Sequence, residues 1–74
     1  MTTFNVITRT TKTGEYGQQL GLIAADTAEA AIAHAATLMG YDSAAEMADD
    51  YAYAMKPQTV SAEASDLPAK YTAR

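Results

Sequence analysis

Three consecutive stretches decide the fold: FNVITRT (Phe4–Thr10), TKTGEYG (Thr11–Gly17) and QQLGLIAA (Gln18–Ala25). The first is β-branched and aromatic and contains neither Gly nor Pro, which favours a strand. The second carries two glycines and breaks that pattern as a loop. The third resumes as a second strand. A hairpin symmetric about the loop sets Thr8 opposite Leu20, Val6 opposite Leu22 and Phe4 opposite Ala24. Side chains alternate faces along a strand, so these six share one side of the sheet. Asn5, Ile7 and Arg9 then lie on the other side with Ile23, Gly21 and Gln19. There Ile7 and Ile23 form a diagonal apolar pair.

The next stretch, DTAEAAIAHAATLMG, reads as a helix punctuated at both ends. Asp26 is placed to cap its start, with Glu29 completing a capping-box-like pair, and Gly40 stands where a left-handed residue ends a helix. Ala28, Ile32, Ala35 and Met39 form one stripe, flanked by Ala31, Ala36 and Leu38, which should pack on the hairpin. A second capping box, Ser43-x-x-Glu46, opens another helix. Its inner face holds Ala44, Met47, Ala48, Tyr51 and Met55, and its outer face Glu46, Asp49, Asp50 and Tyr53. Pro57 stops it and biases Lys56 toward extended backbone. QTVSAEAS then alternates as a third strand, with Val60, Ala62 and Ala64 opposite in face to Thr59, Ser61 and Glu63.

The expected fold is therefore α+β, a three-stranded antiparallel sheet with two helices on one face in the order ββααβ. Residues 1–66 form a single domain, and residues 67–74 form a polar, partly ordered tail. The expected core is Phe4, Val6, Leu20, Leu22, Ile32, Leu38, Met39, Met47, Tyr51, Met55 and Val60. At 74 residues such a domain is close to the lower size limit for folding alone.

Composition narrows the function classes. The absence of cysteine excludes disulfides and thiolate zinc sites and fits a reducing, cytoplasmic setting. No apolar run reaches the length of a bilayer span, and MTTFNVITRT lacks the pattern of a secretory signal. Nine acidic residues against five basic ones, a formal charge of −4, argue against direct nucleic-acid binding. The same charge suits the presentation of carboxylates to a basic surface on another macromolecule.

Catalytic chemistry finds few residues to use. His34 is the sole histidine, sits at the border of an apolar stripe and reads as a boundary residue. With Asp42 it supplies two metal ligands where three or four are needed. Asp49 and Asp50 diverge by about 100° on a helix, so both should face water rather than act as an acid–base pair. Gly14-Glu15-Tyr16-Gly17 lacks the signature of a phosphate-binding loop and is explained by a hairpin turn. No enzyme, cofactor or metal site is expected.

The outer face of the second helix is the candidate binding surface. No Lys or Arg occurs from Gly14 to Met55, so its carboxylates have no local cationic partners. Tyr53 among them is a residue type favoured as an interface anchor. Glu15 and Tyr16 at the hairpin tip extend the surface if the tip folds toward that helix. The expected partner-binding set is thus Glu46, Asp49, Asp50, Tyr53, Glu15 and Tyr16.

In size, acidity, lack of cysteine, ββααβ order and the opening MTTF, the chain resembles the small phage-encoded anti-CRISPR proteins that inhibit type I CRISPR surveillance complexes. The resemblance is one of architecture over the whole chain, with Met1–Phe4 its literal sequence part, and it carries over no functional residue. It implies a non-catalytic inhibitor, acting in a host cell cytoplasm, that covers a basic DNA-binding site on a Cas subunit. The alternative is a small structural or scaffolding module that dimerises with itself through the Ile7–Ile23 side of the sheet.

Overall fold

A computed structural model describes residues 1–73. The chain is α+β: β1 (Thr2–Thr10), β2 (Tyr16–Ala25), α1 (Ala28–Leu38), α2 (Ala44–Ala52), β3 (Gln58–Ala64) and β4 (Tyr71–Thr72). The four strands form one open, mixed sheet in the order β3-β1-β2-β4. β1 is central and antiparallel to both neighbours, whereas β4 runs parallel to β2.

The expected three-stranded antiparallel sheet is therefore one strand short. The C-terminal segment, expected as a partly ordered tail, carries β4, held to β2 by Lys70 N–H on the Leu22 carbonyl and Ala73 N–H on the Ala24 carbonyl, both at 2.8 Å. Arg74 lies outside the described residues.

The hairpin forms, but in a different register. Its loop closes early: Thr10 N–H reaches the Glu15 carbonyl at 2.9 Å, and Gly14 takes φ +72°, a backbone state that glycine adopts without steric cost. Hydroxyls of Thr10 and Thr13 lie 2.6 Å apart and both accept from the Glu15 N–H, filling the loop with short-range bonds. From Arg9 opposite Tyr16 the register slips twice, at Ile7/Arg9 and at Val6/Ile7, reaching Val6 opposite Gly21 and Phe4 opposite Ile23. These bulges each add one residue to β2. A register offset of one reverses which side chains face the core. Ile23 and Ala25, fully buried, thus join Val6 beneath α1, with Phe4 and Leu20 packed beside them. Leu22 is buried on the opposite side, opposite Asn5.

The Ile7–Ile23 pair does not exist, since Ile23 faces the helices. Nor is Ile7 an open patch: it is 2% exposed. Arg9 pairs with Thr59 and Glu63 with Asn5, so the Arg9–Glu63 ion pair at 3.1 Å spans the row of Ile7 on its β3 flank. Gln19 Nε2 donates to Asn5 Oδ1 at 2.8 Å on its β2 flank. Paired polar side chains thus frame this isoleucine.

α1 begins one residue later than Asp26 suggests. Thr27 is the N-cap, and its hydroxyl accepts from the Ala30 N–H at 3.1 Å. Gly40, at φ +88°, ends the helix as expected. Tyr41 N–H bonds to the Ala36 carbonyl and Gly40 N–H to the Thr37 carbonyl, the two bonds of a Schellman motif. Ala31, Ala35 and Ala36 are its buried residues, whereas Leu38 and Met39, expected in the core, are exposed. Small side chains let the helix approach the sheet closely, but each contributes little transfer free energy. The large fully buried residues are Ile7, Ile23, Met47, Val6 and Thr8, each apolar one worth roughly 1.5–3 kcal/mol.

α2 rests on β3 and against α1. Met47 is its one buried residue. The helix stops at Ala52, so Met55, expected on its inner face, lies wholly in solvent.

Candidate protein-binding surface

The acidic face is built by its cap. Ser43 Oγ accepts the Glu46 N–H at 3.1 Å, which starts α2 at Ala44. With Met47 buried and Ala44 and Tyr51 partly covered, a spacing of about 100° per residue aims Glu46, Asp49 and Tyr53 away from the body of the protein. Glu46, Asp49 and Asp50 are all exposed, and Tyr53 is 86% exposed. Among the described residues the only ion pair is Arg9–Glu63, so none of these carboxylates has a cationic partner.

Tyr51 turns the other way. Its hydroxyl accepts from Gln18 Nε2 at 2.7 Å, tying α2 to the hairpin. Asp50 lies toward Tyr41 on the flank of the patch. The Tyr41 phenol is raised above its ordinary value of 10.0, first by its interaction with the Asp50 carboxylate as hydrogen-bond acceptor, then by partial desolvation and the charges of Asp50, Tyr51 and Glu46. A neutral phenol can donate to that carboxylate; a phenolate is repelled by it.

The charge on α2 runs against its own dipole. Glu46 in the first turn is favourable, but Asp49 and Asp50 sit in the last turn, which contains no basic residue. Carboxylates there face the negative end of the helix, a position that disfavours them by about 0.3–1 kcal/mol each.

The hairpin tip contributes only in part. Glu15 lines a groove of about 610 Å³ with Lys12, Met55, Lys56 and Pro57, beside the turn that leaves α2. Tyr16, exposed, pairs with Arg9 and so projects from the side of the sheet that bears no helix. Glu46, Asp49, Asp50 and Tyr53 therefore cluster, Glu15 neighbours the exit of their helix, and Tyr16 stands apart. The early closure of the loop, which sets Tyr16 opposite Arg9 and is invisible in the residue pattern, is what separates it.

His34 is half-buried on α1, its ring centroid 6.5 Å from that of Tyr71. No group of three or more His, Asp or Glu side chains among the described residues is placed to hold a metal ion. No helix among them is long and apolar enough to cross a membrane. The chain matches no protein-family model, no curated protein and no solved structure.

Proposed function

We propose that this protein is a non-catalytic inhibitor that binds a protein partner through the outer face of α2. Glu46, Asp49 and Asp50 take the place of phosphates in a basic groove, and Tyr53 provides the aromatic anchor beside them. By the resemblance drawn from its sequence, the groove is a DNA-binding site on a Cas subunit of a type I surveillance complex, and the protein is an anti-CRISPR protein.

One observation carries this reading: three exposed carboxylates share a helix and, among the described residues, none is in an ion pair, with two of them at the helix end that disfavours them. A surface shaped for stability alone would place Lys or Arg there. An unneutralised patch speeds encounter with an oppositely charged groove and is screened beyond about 8 Å at physiological ionic strength.

The test is DNA binding by a purified type I surveillance complex, titrated with this protein at low and high salt. Inhibition that weakens with salt and disappears in Asp49→Lys/Asp50→Lys, with a native circular dichroism spectrum, is the expected result. Full inhibition by the double variant ends the proposal.

A further inference from the structure

The free edge of β3 carries a second recognition element. Ser65 N–H bonds to the Thr3 carbonyl and Thr11 N–H to the Pro57 carbonyl, which sets the phase of the β1–β3 ladder. In an antiparallel pair, hydrogen-bonded residues alternate. Thr59, Ser61 and Glu63 therefore turn their N–H and C=O groups toward β1, and Gln58, Val60, Ala62 and Ala64 turn theirs outward. β3 is the edge of the sheet, and among the described residues no strand lies beyond it.

The two edges differ. β2 carries two bulges and is capped by β4 over Ile23–Ala24. Such devices blunt an edge against pairing. β3 pairs without a register shift along all seven residues, holds no Pro or Lys, and its one charged residue, Glu63, is drawn across the sheet to Arg9. It is left open to strand addition.

We infer that β3 pairs with an extended segment of the partner whose basic side chains alternate, the backbone adding to the Gln58–Ala64 edge while the cations reach the carboxylates of α2. This rests on the acidic-patch reading and names how the partner meets it. Charge selects the occupant. Among the strands α2 rests on β3, so a strand added there lies close to the acidic helix. A second copy paired edge to edge about a two-fold axis would instead bring two such helices together on one face, carboxylate toward carboxylate. Backbone bonding then supplies affinity and alternate side chains supply specificity, as in β-augmentation generally.

The probe is a peptide of four Lys-Val repeats, compared with its block isomer, four Lys followed by four Val. Residue-resolved amide exchange on the full chain should show Val60 and Ala62 unprotected alone and protected with the alternating peptide, while Thr59 and Ser61 are protected throughout. Ala62→Pro removes an outward N–H and no bond to β1, so it should fold and lose about tenfold in affinity for the alternating peptide. Three results would overturn the inference. The first is an unprotected edge in the complex, the second is equal binding of both peptides by Ala62→Pro and wild type, and the third is a dimer in sedimentation that Ala62→Pro converts to monomer. Asp49→Lys/Asp50→Lys tests the other reading separately. If that variant keeps wild-type affinity with the edge still protected, the acidic patch fails and strand addition stands.

Discussion

Gln18 Nε2 donates to the Tyr51 hydroxyl at 2.7 Å, and among the described residues this is the only side-chain hydrogen bond joining α2 to the sheet. Met47 is the sole buried residue of that helix, so this exposed bond adds a polar tie to a small apolar seat. Tyr51→Phe keeps the ring and removes the acceptor. The expected loss is about 0.5–1.5 kcal/mol, which lowers the midpoint of thermal unfolding by about 4–8 °C per kcal/mol in a domain of this size. An unchanged midpoint would show that apolar contact alone seats α2.

Charge reversal on the outer face should separate stability from binding. Asp49→Lys/Asp50→Lys replaces anions at the C-terminal end of α2 with cations, reversing an unfavourable dipole interaction of about 0.3–1 kcal/mol each. The double variant should lose inhibition, and Asp49→Lys alone, which leaves the Asp50 interaction with Tyr41 intact, should be at least as stable as wild type in denaturant titration. A destabilised Asp49→Lys would contradict the dipole argument.

Gly17 tolerates no side chain. Gly17 is itself exposed, but a Cβ there would lie 2.6 Å from Gln58 Oε1 and closer still to the hydroxyl of the fully buried Thr8. Gly17→Ala should cost about 1–3 kcal/mol through overpacking. Gly14→Ala meets no atom within 4 Å and suffers only its φ of +72°, about 1 kcal/mol. Paired unfolding curves should rank Gly17→Ala as the more damaging.

Tyr41 should titrate above the ordinary tyrosine range, because Asp50 favours its neutral form. Its folded value is raised relative to the unfolded chain, so the stabilisation is complete below pH 10 and is lost as pH rises through the folded value. Ultraviolet absorbance of the five tyrosines should include one late phenol. Tyr41→Phe should remove that component, and Asp50→Asn should shift it downward. A late phenol that persists in both variants would assign it elsewhere.

Ile7→Lys should unfold the monomer rather than split a dimer. Ile7 is 2% exposed between the Arg9–Glu63 and Gln19–Asn5 pairs, so a lysine there would lose that apolar burial and force its charge between groups already paired with each other. Loss of the circular dichroism signal at room temperature is the expected outcome. A folded variant of reduced sedimentation coefficient would revive dimerisation through that face.

The elements themselves were legible, and their exact ends and faces were not. Gly40 and Ser43 announced a helix stop and a helix start because each acts on the backbone within a few residues. The end of α2 gave no such signal. Pro57 is held to the hairpin loop by Thr11 N–H, so the chain must cross from the helix layer to the sheet before it. Helical backbone advances only about 1.5 Å per residue against about 3.3 Å when extended, and the residues after Ala52 unwind. That places Met55 in water. β4, two residues long, offers no alternation to read.

Local chemistry in the chain determined two strands around a glycine loop, two capped helices, a third alternating strand and an acidic outer face on the second helix. Capping, periodicity and charge spacing all act over one or two turns. Tertiary structure alone decided that β1 is central and that the loop closes early enough to set Tyr16 opposite Arg9, which puts Ile23 rather than Leu22 under α1 and turns Tyr16 away from the acidic helix. Strand register depends on how the loop closes and how the sheet packs against the helices, and a shift of one residue exchanges every face.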